Sequence, residues 1–518
     1  MLRSYLVIVS FLFIGFTQSE DRSGVKISVK QDFISGIKKQ FLPLLLEELN
    51  NLTIPDLNID YSLYISTLHM NISEIKFIIT NLKDDNVKLT LEEPDLINVK
   101  TTDVAGVGNF KIKSKLGYLS ETDNVDVIVR KVIADVDLVL TTQESSKEPG
   151  KYLPSAYVLR IDIDIDFDFH VNGILIATFA NLLKSTIKEY INKEIKTTVK
   201  QLILDESLMF IGDLVDQLPV YVPLGYKDLA IDYSLIAPPK VSQRFLTVYS
   251  NGAIISLNKI NLQNYKQIFD KYSDLPDFDV DGKSVQMFLS EDWIATSLNT
   301  VYDTHLLEVT VLPEDVPKES PFQLNTSSMS ILIQGMSDVY GKDKVVKLFV
   351  NVTEIPKFEV SKGLVNSTAV AEITLYVLLD TGEWDQALKF STRVFGSGDA
   401  IVQTQGQISA HIHSIHLSKS RMIETKMEKA DINNIEVLFN FSTSLLIPIL
   451  NENFLKNFSV KLPIIEGISF EDSTVEIPGN YIELDVTPEF GSSMIKNYLK
   501  RKSLLMRKFY DLLNYNIK

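Results

Sequence analysis

The amino-acid sequence contains no cysteine among its 518 residues. This absence excludes disulfide bonds, thiolate catalysis and cysteine-ligated metal sites together. If the chain folds in an oxidising compartment, its stability must therefore come from an apolar core alone. A chain of this length can bury such a core, and it is long enough for two or three domains.

Residues and motifs that carry enzyme chemistry are also scarce. There are six histidines, and the chain has no G-x-S-x-G nucleophile elbow, no H-E-x-x-H pair and no phosphate-binding P-loop. The formal net charge of −16 argues against a general affinity for nucleic acid or for anionic bilayers. Hydrophobic residues make up 45% and charged residues 23%, which is ordinary for a globular protein. We therefore expect a folded protein that is not an enzyme.

Long apolar runs are missing as well, since no stretch reaches the roughly 20 residues that cross a bilayer. The first segment has the features of a signal peptide instead. Arg3 precedes an apolar run over residues 5–16, and Thr17 and Ser19 are small enough for a cleavage site. We expect a protein that is secreted to the exterior, or to the lumen of the secretory or endolysosomal system.

Sequons for N-linked glycosylation are consistent with this compartment. None has proline at its middle position, and together they predict a glycosylated surface. Their asparagines are Asn51, Asn71, Asn325, Asn351, Asn366, Asn440 and Asn457.

The dominant pattern along the chain is that of β-strands. Residues 161–169 read IDIDIDFDF, a strict alternation that gives a strand one apolar and one acidic face. Similar alternation occurs at residues 125–129, 135–140, 347–352, 371–379 and 408–417. Strands with one wet face are typical of antiparallel sheets, because parallel sheets are buried on both faces.

Four apolar stripes at helical spacing interrupt the strands. A long one runs between Ile176 and Leu202, and a shorter one near the start contains Pro43, where we expect a bend. A third follows Ser290, a predicted N-cap, and a fourth contains Pro448. The stripe residues that we expect to line apolar pockets are Phe33, Ile37, Phe41, Ile176, Phe179, Leu183 and Ile187 in the first half of the chain, and Trp293, Leu298, Phe441, Leu445 and Ile449 in the second half.

A proline-marked stretch divides the chain nearly in half. It contains Pro219, Pro223, Pro238 and Pro239. Prolines at this density favour a connecting segment. Strands and helices recur on both sides of it, which predicts two domains of similar build.

Short motifs spread over the chain resemble those of one family. In order they are GVKI (24–27), TIPD (53–56), LPV (218–220), IDYSLIAPP (231–239), LSED (289–292), PKESPF (317–322), IPILN (447–451) and LP (462–463). In sequence and separation they are similar to the lipid-transfer family that includes bactericidal/permeability-increasing protein, lipopolysaccharide-binding protein and the phospholipid and cholesteryl-ester transfer proteins. The segment at 231–239 is the most specific match.

This resemblance implies an α+β, boomerang-shaped tubular fold: two elongated antiparallel β-barrels, each wrapping a long helix, joined by a central sheet. It implies a phospholipid-like ligand in an apolar pocket of each barrel, with no cofactor. The residue pattern agrees, because a sheet with one solvent-exposed face, packed beside a long apolar helix stripe, forms a tubular interior suited to an acyl chain. Burial in such a pocket contributes about 0.8 kcal/mol per methylene.

Together with the proline-marked stretch, the resemblance predicts the domain organisation. The predicted ranges are a signal peptide at 1–19, an N-terminal lipid-binding barrel at 20–217, a linker and central sheet at 218–245, a C-terminal lipid-binding barrel at 246–490, and a basic amphipathic tail at 491–518.

Two features of the first domain depart from the family pattern. The family usually carries a disulfide that ties the long helix to a neighbouring strand, so here we expect packing alone to hold the helix. Lipopolysaccharide binders of the family also have basic loops at the tip of this domain. Residues 102–109 (TDVAGVGN) align with one of these loops and contain no basic residue. The following Lys111, Lys113 and Lys115 have the spacing of one strand face.

The tail at 491–518 differs from the rest of the chain, with seven Lys/Arg against the single acid Asp511. Its apolar residues can share one helical face, which is typical of helices that lie on anionic lipid. The alternative is a frayed, solvated terminus. The residues that we expect to contact a membrane are Lys500, Arg501, Lys502, Arg507 and Lys508.

Three clusters have residue types that bind metals, and for each the solvated alternative is favoured. Asp277, Asp279, Asp281 and Gly282 match half of an EF-hand loop, but Phe288 stands where the bidentate Glu belongs. Asp162, Asp164, Asp166 and Asp168 lie in a row along one strand instead of converging. His411 and His413 share a strand face with His416 nearby, a pattern that suits an exposed face as well as zinc. We expect no metal.

Three functions compete on this evidence. The first is a carrier that takes phospholipid-like molecules from bilayers during transient membrane contact. The second is an innate-defence protein that recognises bacterial lipopolysaccharide or another envelope glycolipid, against which the acidic charge and the loop without basic residues argue. The third is an adhesion protein with sealed barrels and no ligand.

Overall fold

The structure is a computed structural model. It describes residues 24–50, 54–64, 66–145, 147–171, 184–194, 196–197, 200, 220–224, 228–258, 275–316, 318, 323–331, 333–403, 407–454, 459–461 and 468–490. The predicted signal peptide at 1–19, the tail at 491–518 with its five basic membrane-contact residues, and the sequons at Asn51 and Asn457 lie outside these residues.

The described chain alternates antiparallel strands with a few helices. The strands are β1 (Val25–Lys30), β2 (Leu57–Ser62), β3 (Thr67–Ile79), β4 (Val87–Glu92), β5 (Leu96–Thr101), β6 (Val104–Leu116), β7 (Leu119–Glu144), β8 (Tyr152–His170), β9 (Tyr221–Pro223), β10 (Leu229–Asp232), β11 (Lys240–Val241), β12 (Phe245–Ser250), β13 (Ile254–Ser256), β14 (Val285–Ser290), β15 (Glu308–Val311), β16 (Val346–Val352), β17 (Lys357–Ser361), β18 (Leu364–Leu378), β19 (Trp384–Gln403), β20 (Gln407–Thr425), β21 (Ser459–Lys461), β22 (Ile468–Glu476) and β23 (Tyr481–Phe490). The helices are α1 (Gln31–Asn50), α2 (184–194, with 196–197 and 200 also helical), α3 (Glu291–Asp303), α4 (Thr326–Met329), α5 (Met336–Tyr340) and α6 (Ile432–Ile449), which continues as a π-helix over Leu450–Phe454.

The strands form four sheets. The first half of the chain contributes the order β2-β3-β6-β7-β5-β4, with β8 also paired to β7, and the second half contributes β15-β16-β18-β19-β20-β21, with β17 paired to β18. Between them lie the sheet β11-β12-β1-β14-β23-β22 and the small sheet β13-β10-β9. This central region draws β1 from the start of the chain and β22 and β23 from near the end of the described chain, so it joins the two halves.

Three clusters of apolar residues form the main cores. One lies against the β2–β8 sheet and includes Ile187 and Ile191 of α2. A second lies against the β15–β21 sheet and includes Ile435 and Phe439 of α6. The third fills the central region around Trp293. Each half of the chain therefore packs a curled antiparallel sheet against a long helix.

The alternation of residues 161–169 predicted β8 correctly. Ile163, Ile165 and Phe167 are buried, while Asp162, Asp164 and Asp166 are exposed. Three of the four aspartates in the row are therefore solvated, as expected, and the fourth, Asp168, is half-buried. Helix α1 runs on through Pro43. Among the described residues no helix is both long enough and apolar enough to span a bilayer.

The assignment of residues 102–109 to a loop is wrong for most of that segment, because β6 begins at Val104. The two glycines of this segment lie where neighbouring strands approach closely. A Cβ added at Gly106 would lie 2.4 Å from the Ile78 carbonyl oxygen, and one at Gly108 would lie 2.6 Å from that of Lys76. Glycine in a strand often marks such an approach of a neighbouring backbone.

Candidate functional site

The described part of α2 packs its apolar side into the first core. Ile187, a predicted pocket residue, has no exposed surface, and neither has Ile191 one turn later. Both belong to the cluster that contains Phe167 and Phe169 of β8. The other predicted pocket residues of this helix, Ile176, Phe179 and Leu183, lie outside the described residues.

Ion pairs also hold α2 to β8, so the expectation that packing alone would do so is wrong. Lys184 Nζ lies 2.7 Å and Lys188 Nζ 3.4 Å from Asp168 Oδ1, while Arg130 of β7 reaches the other carboxylate oxygen at 3.0 Å. The Lys184 ammonium, together with the Phe169 amide and Lys188, holds the pKa of Asp168 well below its usual range. These contacts join the helix to the strand in a chain that has no cysteine.

Helix α1 covers the edge strand β4 of the same sheet. Gln31 at its start donates from Nε2 to the Leu89 carbonyl at 2.5 Å and accepts from the Leu91 amide at 3.1 Å. Phe33 packs against the small apolar cluster that lies here, and Ile37 is half-buried. The side chain of Phe41 lies outside the description.

Helix α3 lies in the central region. The predicted cap is confirmed, because the Ser290 hydroxyl accepts from the Trp293 amide at 3.1 Å. Trp293 is buried and its indole N–H donates to the Gly252 carbonyl at 2.5 Å. Its apolar cluster is separate from the one that contains Ile435 and Phe439 of α6. Leu298 of α3 is half-buried.

An open cleft of about 530 Å³ lies between β20 and the end of α6. Its lining is His411, Ile412, His413, Ile447, Pro448, Asn451 and Glu452. The lining is mixed, with Ile412, Ile447 and Pro448 beside the polar groups of the other four residues. The predicted pocket residues Phe441, Leu445 and Ile449 are on the same helix, but their side chains lie outside the description.

Side chains of α6 and its π-helical extension occupy the open edge of β20. Asn440 accepts from the Leu417 amide at 2.6 Å and donates to the Leu417 carbonyl at 2.8 Å. Asn451 makes the same pair of bonds to Ile412, at 2.8 and 3.0 Å. The helix therefore satisfies backbone groups that a neighbouring strand would otherwise pair.

Two histidines at the polar rim lie beside a carboxylate. His413 Nε2 is 3.0 Å from Asp399 Oδ2, and His411 Nδ1 is 3.8 Å from Asp399 Oδ1. Among the described residues, these three form the one group of three potential metal ligands, with their ligand atoms within 4.8 Å of one another. His416, the third histidine of the predicted cluster, is exposed further along β20 and is not part of the group.

The acidic loop that resembles half of an EF-hand contacts lysines of β1. Lys30 Nζ donates to the Val280 carbonyl at 2.5 Å and also to the Gly282 carbonyl. Lys26 donates to the Pro276 carbonyl at 3.0 Å and lies 3.8 Å from the Asp277 carboxylate. Backbone oxygens of this loop therefore accept hydrogen bonds from the ammonium groups of Lys26 and Lys30.

The motif at 231–239 contains a buried ion pair. Asp232 has no exposed surface and accepts from Lys151 Nζ at 2.5 Å and from Asn251 Nδ2 at 3.1 Å. Its other oxygen accepts from the Ser234 amide at 2.9 Å. The strongest sequence match thus contains a structural contact between Lys151, just before β8, and the central region.

Comparison with known proteins agrees with this architecture. Residues 226–488, just over half of the chain, match the profile of the C-terminal domain of the LBP / BPI / CETP family. The chain belongs to the LBP/BPI/CETP family. Members of this family are lipid-binding or lipid-transfer proteins and not enzymes, which confirms the prediction of a non-enzymatic protein.

Curated members of the LBP/BPI/CETP family match nearly the whole chain. Lipopolysaccharide-binding protein of Mus musculus is 21% identical over 472 residues, covering 90% of this chain and 94% of its own. Phospholipid transfer protein of Mus musculus is 20% identical over 482 residues, covering 91% of each. A crystal structure of lipopolysaccharide-binding protein matches with a TM-score of 0.52 at 19% identity, covering 90% of this chain and 99% of that one. The predicted α+β fold of antiparallel sheets around helices is confirmed.

The polar residues that organise this cleft were not identified from the sequence. Asn440 was predicted only as a glycosylation site, and no role was predicted for Asp399. Asp399 lies 12 positions before His411, and only the β19–β20 register places the two opposite each other. Asn451 stands in the IPILN motif, which is the one signal that pointed to this end of α6.

Proposed function

We propose that the protein binds phospholipid-like molecules in apolar pockets and exchanges them with membranes, without a cofactor. The cleft beside α6 is the observation that carries this proposal. An acyl chain beside Ile447 and Pro448 is removed from water, while His411, Asn451 and Glu452 leave polar groups for a headgroup. The names of its relatives, one a phospholipid transfer protein, support the same reading.

A second apolar pocket belongs to the first half of the chain in this proposal. The described part of α2 presents Ile187 and Ile191 to an apolar cluster, as α6 presents Ile435 and Phe439. This parallel supports two domains of similar build, with ranges 20–217 and 246–490. The predicted signal peptide and sequons support a secreted or lumenal location.

Membrane contact is proposed at one end of the first sheet. The turns β2–β3 and β6–β7 lie at the same end, because β3 pairs with β6 through Leu68 and Leu116. Tyr64 and Tyr118 in these turns are fully exposed. Tyrosine is favoured at the membrane–water interface because its ring is apolar and its hydroxyl is polar. The basic residues of the tail at 491–518 remain a second proposed contact.

A substitution in the cleft tests the carrier proposal. Ile447→Asp places a charge among the apolar lining, and a binding loss of tenfold or more corresponds to at least about 1.4 kcal/mol. Val437→Asp, on the exposed face of the same helix, is the matched control. We expect lipid capture from labelled phosphatidylcholine vesicles to fall in the first variant and not in the second. Equal capture by both variants would contradict a ligand in this cleft.

The second candidate function is recognition of lipopolysaccharide, which two relatives named lipopolysaccharide-binding protein favour. The net charge of −16 argues against it. Recognition of an anionic headgroup should weaken steeply with salt, whereas apolar pocket binding should not. Binding of lipopolysaccharide and of phosphatidylcholine at two salt concentrations separates the two functions.

A further inference from the structure

The hairpin of β19 and β20 brings three metal-ligating side chains together from two strands. Asp399 of β19 pairs directly with His411 of β20, and His413 follows on the same face. The two imidazole rings have centroids 4.9 Å apart, and both lie against the Asp399 carboxylate. The group is half-exposed, so an ion from solvent can reach it.

The Asp399 carboxylate is only half satisfied. Oδ2 contacts His413 Nε2 at 3.0 Å, but Oδ1 is buried and has no hydrogen-bond partner among the described residues. His411 Nδ1 lies 3.8 Å from Oδ1, which is too far for a hydrogen bond. A cation between Oδ1, His411 and His413 would satisfy this oxygen, because buried polar atoms without partners are rare and costly.

We propose that Asp399, His411 and His413 form a binding site for a divalent transition-metal ion, with Zn²⁺ as the best-suited ion. Imidazole nitrogen and carboxylate oxygen are zinc ligands, at about 2.0–2.2 Å from the metal. The ligand atoms already lie within 4.8 Å of one another. Three protein ligands leave a fourth position for water or for Glu452, which lines the same cleft.

The bound ion would clamp β19 to β20 beside the end of α6. Asn451 already joins the end of this helix to Ile412, the residue between the two histidines. The site therefore lies where the second half of the chain holds its helix against the sheet edge. It does not depend on the lipid proposal, because the metal alone is the ligand.

Zinc titration of the full chain tests the site. The protein, free of any affinity tag, is dialysed against a chelator and titrated with ZnCl₂ by isothermal calorimetry. We expect one Zn²⁺ per chain at this site and a rise in the melting temperature with zinc, since an ion that binds only the folded state stabilises it. Asp399→Asn and the double variant His411→Gln/His413→Gln should each bind at least tenfold more weakly.

His416→Gln is the matched control, because His416 is exposed on the same strand outside the group. This variant should keep wild-type affinity. Co²⁺ in place of Zn²⁺ adds a direct readout, since its visible absorption reports the ligand geometry and should vanish in the Asp399→Asn variant. Circular dichroism of the metal-free variants separates loss of binding from loss of fold. A wild-type protein that binds no Zn²⁺ at micromolar concentration, or a loss equal in all variants including His416→Gln, overturns the proposal.

Discussion

The Asn440 carboxamide pairs with both backbone groups of Leu417, 23 residues away, through bonds of 2.6 and 2.8 Å. The N–H and C=O groups of Leu417 face the edge of β20 that no described strand covers at this point, since β21 pairs only with residues 407–409. In the first half of the chain, Gln31 makes similar bonds to the edge strand β4, to the Leu89 carbonyl and from the Leu91 amide. In both halves a helix side chain replaces the missing strand and closes the edge of a curled sheet.

Removal of the Asn440 side chain should destabilise the second half. Asn440→Ala leaves the Leu417 N–H and C=O without protein partners, which costs about 1–3 kcal/mol. Asn434→Ala, at an exposed position of the same helix, should stay within about 0.5 kcal/mol of wild type. Urea unfolding monitored by circular dichroism measures both. A loss in the control equal to that in Asn440→Ala would contradict a specific contribution from the edge contact.

The same contact bears on glycosylation. Asn440 is a sequon, but its amide nitrogen donates to Leu417 and its side chain is half-buried against β20. We expect this asparagine to carry no glycan in the folded protein. Glycopeptide mass spectrometry of protein from a eukaryotic host measures occupancy at each site. A fully occupied Asn440 would contradict the edge contact.

The ion pairs of Asp168 should make the attachment of α2 depend on pH. Because the pKa of Asp168 is lowered in the folded state, chiefly by Lys184, its contribution to stability is present above about 3.8, the usual carboxyl value. It is lost as the pH falls through the lowered value. Asp168→Asn should cost about 1 kcal/mol or less at pH 7, since the group is partly exposed and screened. The cost should shrink at high salt.

Asp166→Asn is the matched control for that measurement, because Asp166 is exposed on the same face of β8. Chemical unfolding at pH 7 in low and high salt gives the comparison. If both variants lose the same stability, the ion pairs with α2 contribute nothing specific.

Glu483 on β23 should have the opposite pH dependence. Burial, with the neighbouring Asp485 and Glu476 carboxylates, raises its pKa above the usual value of 4.5. The folded state therefore holds the proton more tightly than the unfolded chain, and stability should decline as the pH rises from 4.5 through the raised value. Glu483→Gln should raise the melting temperature at pH 7, and the gain should disappear below pH 4.5.

The exposed Glu489 on the same strand provides the control. Glu489→Gln should leave the melting temperature unchanged across this range. A Glu483→Gln variant that is no more stable than wild type at pH 7 would show that the carboxylate is better solvated than its surroundings indicate.

Local sequence patterns predicted much of the fold. The alternation of residues 161–169 predicted both the strand β8 and the face that it buries, because the side-chain period of a strand is two. Ser290 predicted the start of α3, since a hydroxyl at that position can accept from the third amide of the helix. These signals lie within a few residues of one another along the chain.

The polar contacts of the site could not be predicted in this way. Asn440 with Leu417 depends on which residues meet after the chain has folded, and so does Asp399 with His411. The glycines at 106 and 108 illustrate the same limit, because the close approach that they allow depends on where β3 lies after folding. A shift of one residue in register changes which residues face each other, and the alternation within one strand does not identify its partner residues.

Native mass spectrometry with lipid extraction tests the carrier function most directly. The measurement uses full-length protein purified from a eukaryotic secretory host, with its glycans trimmed. We predict one or two bound phospholipids per chain, and less bound lipid in Ile447→Asp than in Val437→Asp. A ligand-free mass that stays ligand-free after incubation with mixed liposomes would contradict the carrier function and leave sealed domains without a lipid ligand.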